Sequence, residues 1–107
     1  MTITYSRKMA VRYGINAAMV AAYLYEGVEI AGRYYHERTW FRCAKRTLTA
    51  FFPFLGIHAV SSALKRLTDG GVLVKCEYNN SRFDRTLSYA FTDFGEALMD
   101  EVEYGGV

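Results

Sequence analysis

The chain has 107 residues, 51% of them hydrophobic and 22% charged, with 17 aromatic side chains and a single proline. That is enough apolar matter for one self-standing core, which argues against a disordered chain and against a miniprotein that depends on disulfides. No apolar run approaches the roughly 20 residues that a bilayer span needs, because the stretch 19–25 is soon broken by Glu26 and Glu29. Residues 1–12 lack the apolar centre and small-residue cleavage pattern of a secretory signal, so the expected address is the cytoplasm.

The formal net charge of +2 conceals a split: residues 1–90 carry +7, whereas residues 91–107 have no base and carry −5. A basic body with an acidic end points to a polyanionic partner for the body, or to a solvated surface that merely sorts its charges. Cys43 and Cys76 stand far apart and outside any Cys-x-x-Cys spacing, and are read as two reduced, half-buried thiols. His36 and His58 have no carboxylate or cysteine at ligand spacing, so neither a metal nor any other cofactor is expected.

In chain order, residues 14–31 place Ile15, Ala18, Met19, Ala22, Tyr23 and Val28 at three- and four-residue steps, a helix with one wide apolar face closed by Gly32. Residues 38–42, Arg-Thr-Trp-Phe-Arg, read as a short strand. Residues 44–52 read as a short helix with Leu48, Phe51 and Phe52 inward and Lys45, Arg46 and Thr49 outward, stopped by Pro53. The clearest helix runs from Ile57, with Ile57, Val60, Leu64 and Leu67 as its buried stripe. His58, Ser61, Ser62, Lys65 and Asp69 lie opposite, and Gly70-Gly71 ends it. Residues 72–78 and 85–91 read as two strands joined by a polar, basic tip at 79–84. Thr92-Asp93 starts a last helix, with Glu96 in a capping arrangement counted from Asp93.

Helix, short strand, short helix, tight turn, longer helix, two-stranded hairpin, helix is the element order of an α+β winged helix-turn-helix. A 13-residue helix is about 20 Å long, enough to lie in a major groove. The runs Gly14-Ile-Asn-Ala-Ala-Met-Val, Thr39-Trp-Phe-Arg-Cys and residues 48–55 take part in a wider likeness, as do residues 63–75 and Phe83-Asp-Arg-Thr-Leu-Ser-Tyr-Ala. Over about residues 14–92 the chain resembles the N-terminal winged-helix domain of phage replication-organiser and primosome-type initiators and related phage helix-turn-helix proteins. The resemblance implies a phage or prophage origin and binding to double-stranded DNA, in transcription regulation or replication initiation.

Under that resemblance the helix from Ile57 enters the major groove, with His58, Ser61, Ser62, Lys65 and Arg66 facing bases and phosphates. Lys45 and Arg46 at the preceding helix start, and Lys75, Arg82 and Arg85 of the wing, then meet the backbone. For each set the alternative is an ordinary polar face, and Arg85 has Asp84 beside it as a candidate partner. Trp40, Phe41, Phe51, Phe52, Phe54 and Tyr89 are expected in the core, and Tyr34 and Tyr35 on the surface. The chain departs from the family pattern where the exposed helix starts: Gly56, Ile57, His58, Ala59, Ser61 and Ser62 stand where Ser or Thr and several Arg or Lys are usual. The second domain of the larger initiators is likewise not expected here. That leaves a rival from another class, a winged helix repurposed to bind protein, such as a phage-encoded anti-CRISPR inhibitor of a host defence complex. A homodimer through the first and last helices is a further arrangement consistent with this order. No phosphate loop, nucleophile elbow, zinc signature or paired-carboxylate motif is written in the chain, so catalysis is not expected.

Overall fold

A computed structural model describes residues 5–77 and 84–100. Among them are five helices and a four-stranded antiparallel sheet: α1 (Arg7–Tyr13), α2 (Ile15–Ala31), β1 (Arg33–Tyr35), β2 (Arg38–Arg42), α3 (Lys45–Phe51), α4 (Ile57–Asp69), β3 (Leu73–Cys76), β4 (Ser88–Phe91) and α5 (Asp93–Asp100). The strand order is β1-β2-β4-β3. This is an α+β chain in which α2 is the central helix, packed against α1, α4 and β2.

Local chemistry accounts for these elements. Ala17, Ala18 and Ala21 on α2 are all buried, and their small side chains let α1 and α4 approach closely. On α4 the buried stripe is Val60, Ala63, Leu64 and Leu67, the i, i+3, i+4, i+7 pattern of a helix with one face in the core. Its end is a Schellman motif. Gly71 adopts a left-handed φ of 77°, its N–H donates to the Thr68 carbonyl, and the Val72 N–H donates to the Leu67 carbonyl at 3.0 Å. The buried Ser6 hydroxyl caps α1 by accepting from the Met9 N–H, and donates to the Leu98 carbonyl, tying α1 to α5.

Two elements escape the sequence pattern, α1 and β1. The latter forms a hairpin with β2 through the two-residue turn His36-Glu37, both residues at positive φ (50° and 63°). Such turns favour Asn-Gly, because a Cβ in the left-handed region costs about 1–2 kcal/mol. Glu37→Gly is therefore expected to raise stability by about 1 kcal/mol, read as a higher urea midpoint at unchanged slope. A lower midpoint means that Glu37 makes a contact worth more than its backbone strain.

Several expectations need correction. Phe51 and Phe54 are exposed (47% and 62%), and Ile57 is 45% exposed rather than part of the stripe. The inward positions are Leu48 on α3 and Phe52 at its C-cap, four residues apart; Phe51 instead lies against Tyr23, ring centroids 4.5 Å apart. Phe54 belongs to the turn before α4 and meets the edge of Phe52, and Ile57 is the first residue of α4. The last two strands are shorter than expected, with residues 85–87 irregular and residue 78 outside the described residues. The cap of α5 is Thr92, whose Oγ1 accepts from the Gly95 N–H at 3.0 Å, so Asp93 lies inside the helix. Tyr34 is exposed as expected, while Tyr35 stacks on the buried Trp40, whose indole N–H donates to the Tyr35 carbonyl.

Candidate nucleic-acid interface

Four of the ten candidate side chains meet in a groove of about 360 Å³ between α4, the start of α3 and the β3–β4 pair. Lys45, Lys65 and Lys75 reach it from three different elements, with Ser61 and Thr68 between them, and Tyr89 and Leu64 are part of its lining. The arrangement follows from the topology. β2 pairs with β4, so the start of α3, just after β2, is brought beside β3–β4. The outer side of α4 then closes the groove, since Ser61, Lys65 and Thr68 recur at steps of four and three.

Among the described residues, three lysines face one acid there, Asp69. The Lys65 ammonium donates to the Asp69 carboxylate at 2.8 Å, one helical turn away, and that hydrogen bond and charge push the ammonium pKa up. Both side chains are well exposed, and Lys preceding Asp is the weaker i, i+4 order on a helix, so the pair is readily exchanged for another anion. Lys45 and Arg46 occupy the first turn of α3, after Ala44, which offers no side-chain cap. Cations oppose the helix dipole in that position. Their placement does nothing for the stability of α3 and suits the capture of an external anion.

The remaining candidates divide. His58 and Ser62 are exposed on the first two turns of α4, beyond the groove. Arg66 lies on another side of α4 and donates to the Tyr13 carbonyl at 3.2 Å, lining a separate hollow with Arg12, Gly14 and Gly70. Arg85 is exposed, but its neighbour and candidate partner Asp84 pairs with Arg42 and accepts from the Thr86 N–H, linking β2 to the segment before β4. Arg82 and most of the 79–84 tip, with Tyr78 and Phe83, lie outside the described residues. Sequence reasoning missed Thr68 as a groove residue; its signal was its spacing, seven residues after Ser61 and three after Lys65.

Behind the groove the chemistry is that of a closed core. Burial pushes the Cys43 thiol up to about 11 and the Tyr89 hydroxyl up to about 12, so both are neutral at ordinary pH. Among the described residues no three His, Cys, Asp or Glu side chains come together as a metal site, and no helix is long and apolar enough to cross a membrane. No protein-family model, no curated protein and no solved structure matches the chain.

Proposed function

We propose that this chain is a phage-type winged helix-turn-helix protein that binds double-stranded DNA and acts in the cytoplasm of a bacterial host, in transcription regulation or replication initiation. In this reading α3 and α4 are the helix-turn-helix, α4 is the recognition helix, β3–β4 is the wing, and β1 is an added edge strand. The observation that carries it is the convergence of Lys45, Lys65 and Lys75 on one groove beside α4, drawn from three separate elements. A row of phosphates is the ligand that such a set fits, because each ammonium neutralises one phosphate and releases its counterion. His58 and Ser62 stand ahead of the groove, where base edges would lie.

Fluorescence anisotropy on a mixed-sequence duplex at 50 and 200 mM salt tests the proposal. With about three phosphate contacts the binding constant falls roughly 40-fold across that range. No binding at the lower salt, or binding indifferent to salt, contradicts it.

The second reading, a winged helix turned to protein binding, is favoured by one observation: Phe51, Phe54 and Ile57 are all exposed within seven residues. It predicts a stable complex with a host or phage protein that survives high salt, and no salt-linked affinity for duplex.

A further inference from the structure

The apolar residues at the leading end of α4 also bear on DNA binding, and the role inferred for them rests on the DNA reading. Bases are told apart in the major groove by a few pairings: Arg or Lys with guanine, Asn or Gln with adenine, and an apolar side chain with the C5-methyl of thymine. α4 contains no Asn or Gln. Of its two bases, Lys65 is on the third turn, in the groove and paired with Asp69, and Arg66 is turned to the Tyr13 carbonyl. The first two turns therefore expose only Ile57, His58 and Ser62, preceded by Phe54 in the turn.

His58 and Ser62 each offer single hydrogen bonds that several base edges satisfy. The discriminating groups left are the two apolar ones. Ile57, Ser61 and Lys65 follow one another every fourth residue along α4, and Ser61 and Lys65 line the lysine groove. A duplex gripped by that groove thus presents its base edges to Ile57 and, beyond it, Phe54. Gly56 between them has no side chain and nothing within 4 Å of where a Cβ would stand, so the approach is open.

We infer that Ile57 and Phe54 are specificity-determining residues that select thymine-bearing sites through the C5-methyl group. Their exposed apolar area is covered by thymine methyls when DNA binds. The protein accordingly prefers T·A-rich duplex over G·C-rich duplex of the same length and charge.

The test compares a T·A-rich duplex with the same duplex carrying deoxyuridine in place of every thymidine. Charge and hydrogen-bonding edges are shared, and only the methyl is removed. The expected result is about fourfold weaker binding of the uracil duplex for each methyl contacted, with an unchanged salt slope. The double variant Ile57→Ala, Phe54→Ala, altered at exposed positions, should bind the two duplexes equally while keeping the wild-type salt slope. Equal binding of thymine and uracil duplexes by the wild-type protein overturns the inference but leaves the DNA reading standing. Failure to bind either duplex at low salt overturns both.

Discussion

Replacing Lys45, Lys65 and Lys75 together by alanine is expected to lower duplex affinity by roughly two to three orders of magnitude at 100 mM salt. The slope of log K against log salt should become shallower by about 2.7, because each lost phosphate contact removes about 0.9. All three side chains are exposed, so thermal stability should hold and the loss belongs to binding. Two companion variants sharpen the result. Asp69→Asn removes the carboxylate that lines the groove and frees Lys65, and should raise affinity several-fold. Arg66→Ala, on another side of α4, should leave the slope nearly unchanged. A triple variant with the wild-type slope would mean that the groove does not hold phosphates.

The second large effect is on the core behind that groove. Tyr89 is 2% exposed, pairs in register with Phe41 on one side and Lys75 on the other, and helps line the groove. Tyr89→Ala should cost about 3–5 kcal/mol, enough to leave much of a small domain unfolded. Tyr89→Phe keeps the ring and exposes a different property. The Cys43 thiol and the Tyr89 hydroxyl are pushed up from 9.0 to about 11 and from 10.0 to about 12, so on raising the pH the unfolded chain loses each proton first. The unfolded state then binds fewer protons than the folded one, and stability falls as pH rises. The loss should begin near pH 9 with Cys43, continue to about pH 12 with Tyr89, and amount to about 2–3 kcal/mol for each group. Below pH 9 neither group contributes a slope. Tyr89→Phe should flatten the part between pH 10 and 12, measured by urea unfolding across the alkaline range. An alkaline profile identical to wild type would show that Tyr89 does not ionise on unfolding in that window.

The elements that could be read from sequence were those whose pattern is local. The bounds of α4 are written in the spacing of Val60, Leu64 and Leu67 and in Gly70-Gly71, and β2 in Thr39-Trp40-Phe41 between two arginines. Elements held by distant contacts were not legible. α1 depends on a serine bonded to a carbonyl 92 residues away, and β1 on a turn, His36-Glu37, that carries none of the usual turn residues. Aromatic side chains misled for a related reason. Hydrophobicity places Phe51, Phe54 and Ile57 inside, but α3 spans only seven residues and presents just Leu48 to the core, with Phe52 buried at its C-cap. For the site, Lys45, Ser61, Lys65 and Lys75 were legible as separate residues. Their meeting in one groove was not, because it arises from the pairing of β2 with β4 across more than forty residues. Which acid each arginine meets was likewise hidden: Asp84 turns to Arg42 across the sheet rather than to its neighbour.

The central claim is that α4 and the lysine groove beside it form the surface on which a duplex sits. Titrating duplex DNA into isotope-labelled protein and following the backbone amide resonances tests this most directly. The largest shifts should fall on Ile57–Asp69, the Lys45–Arg46 turn and Lys75, with α1 and α5 unmoved. Shifts concentrated on α1 and α5, or none at saturating duplex in low salt, would contradict it.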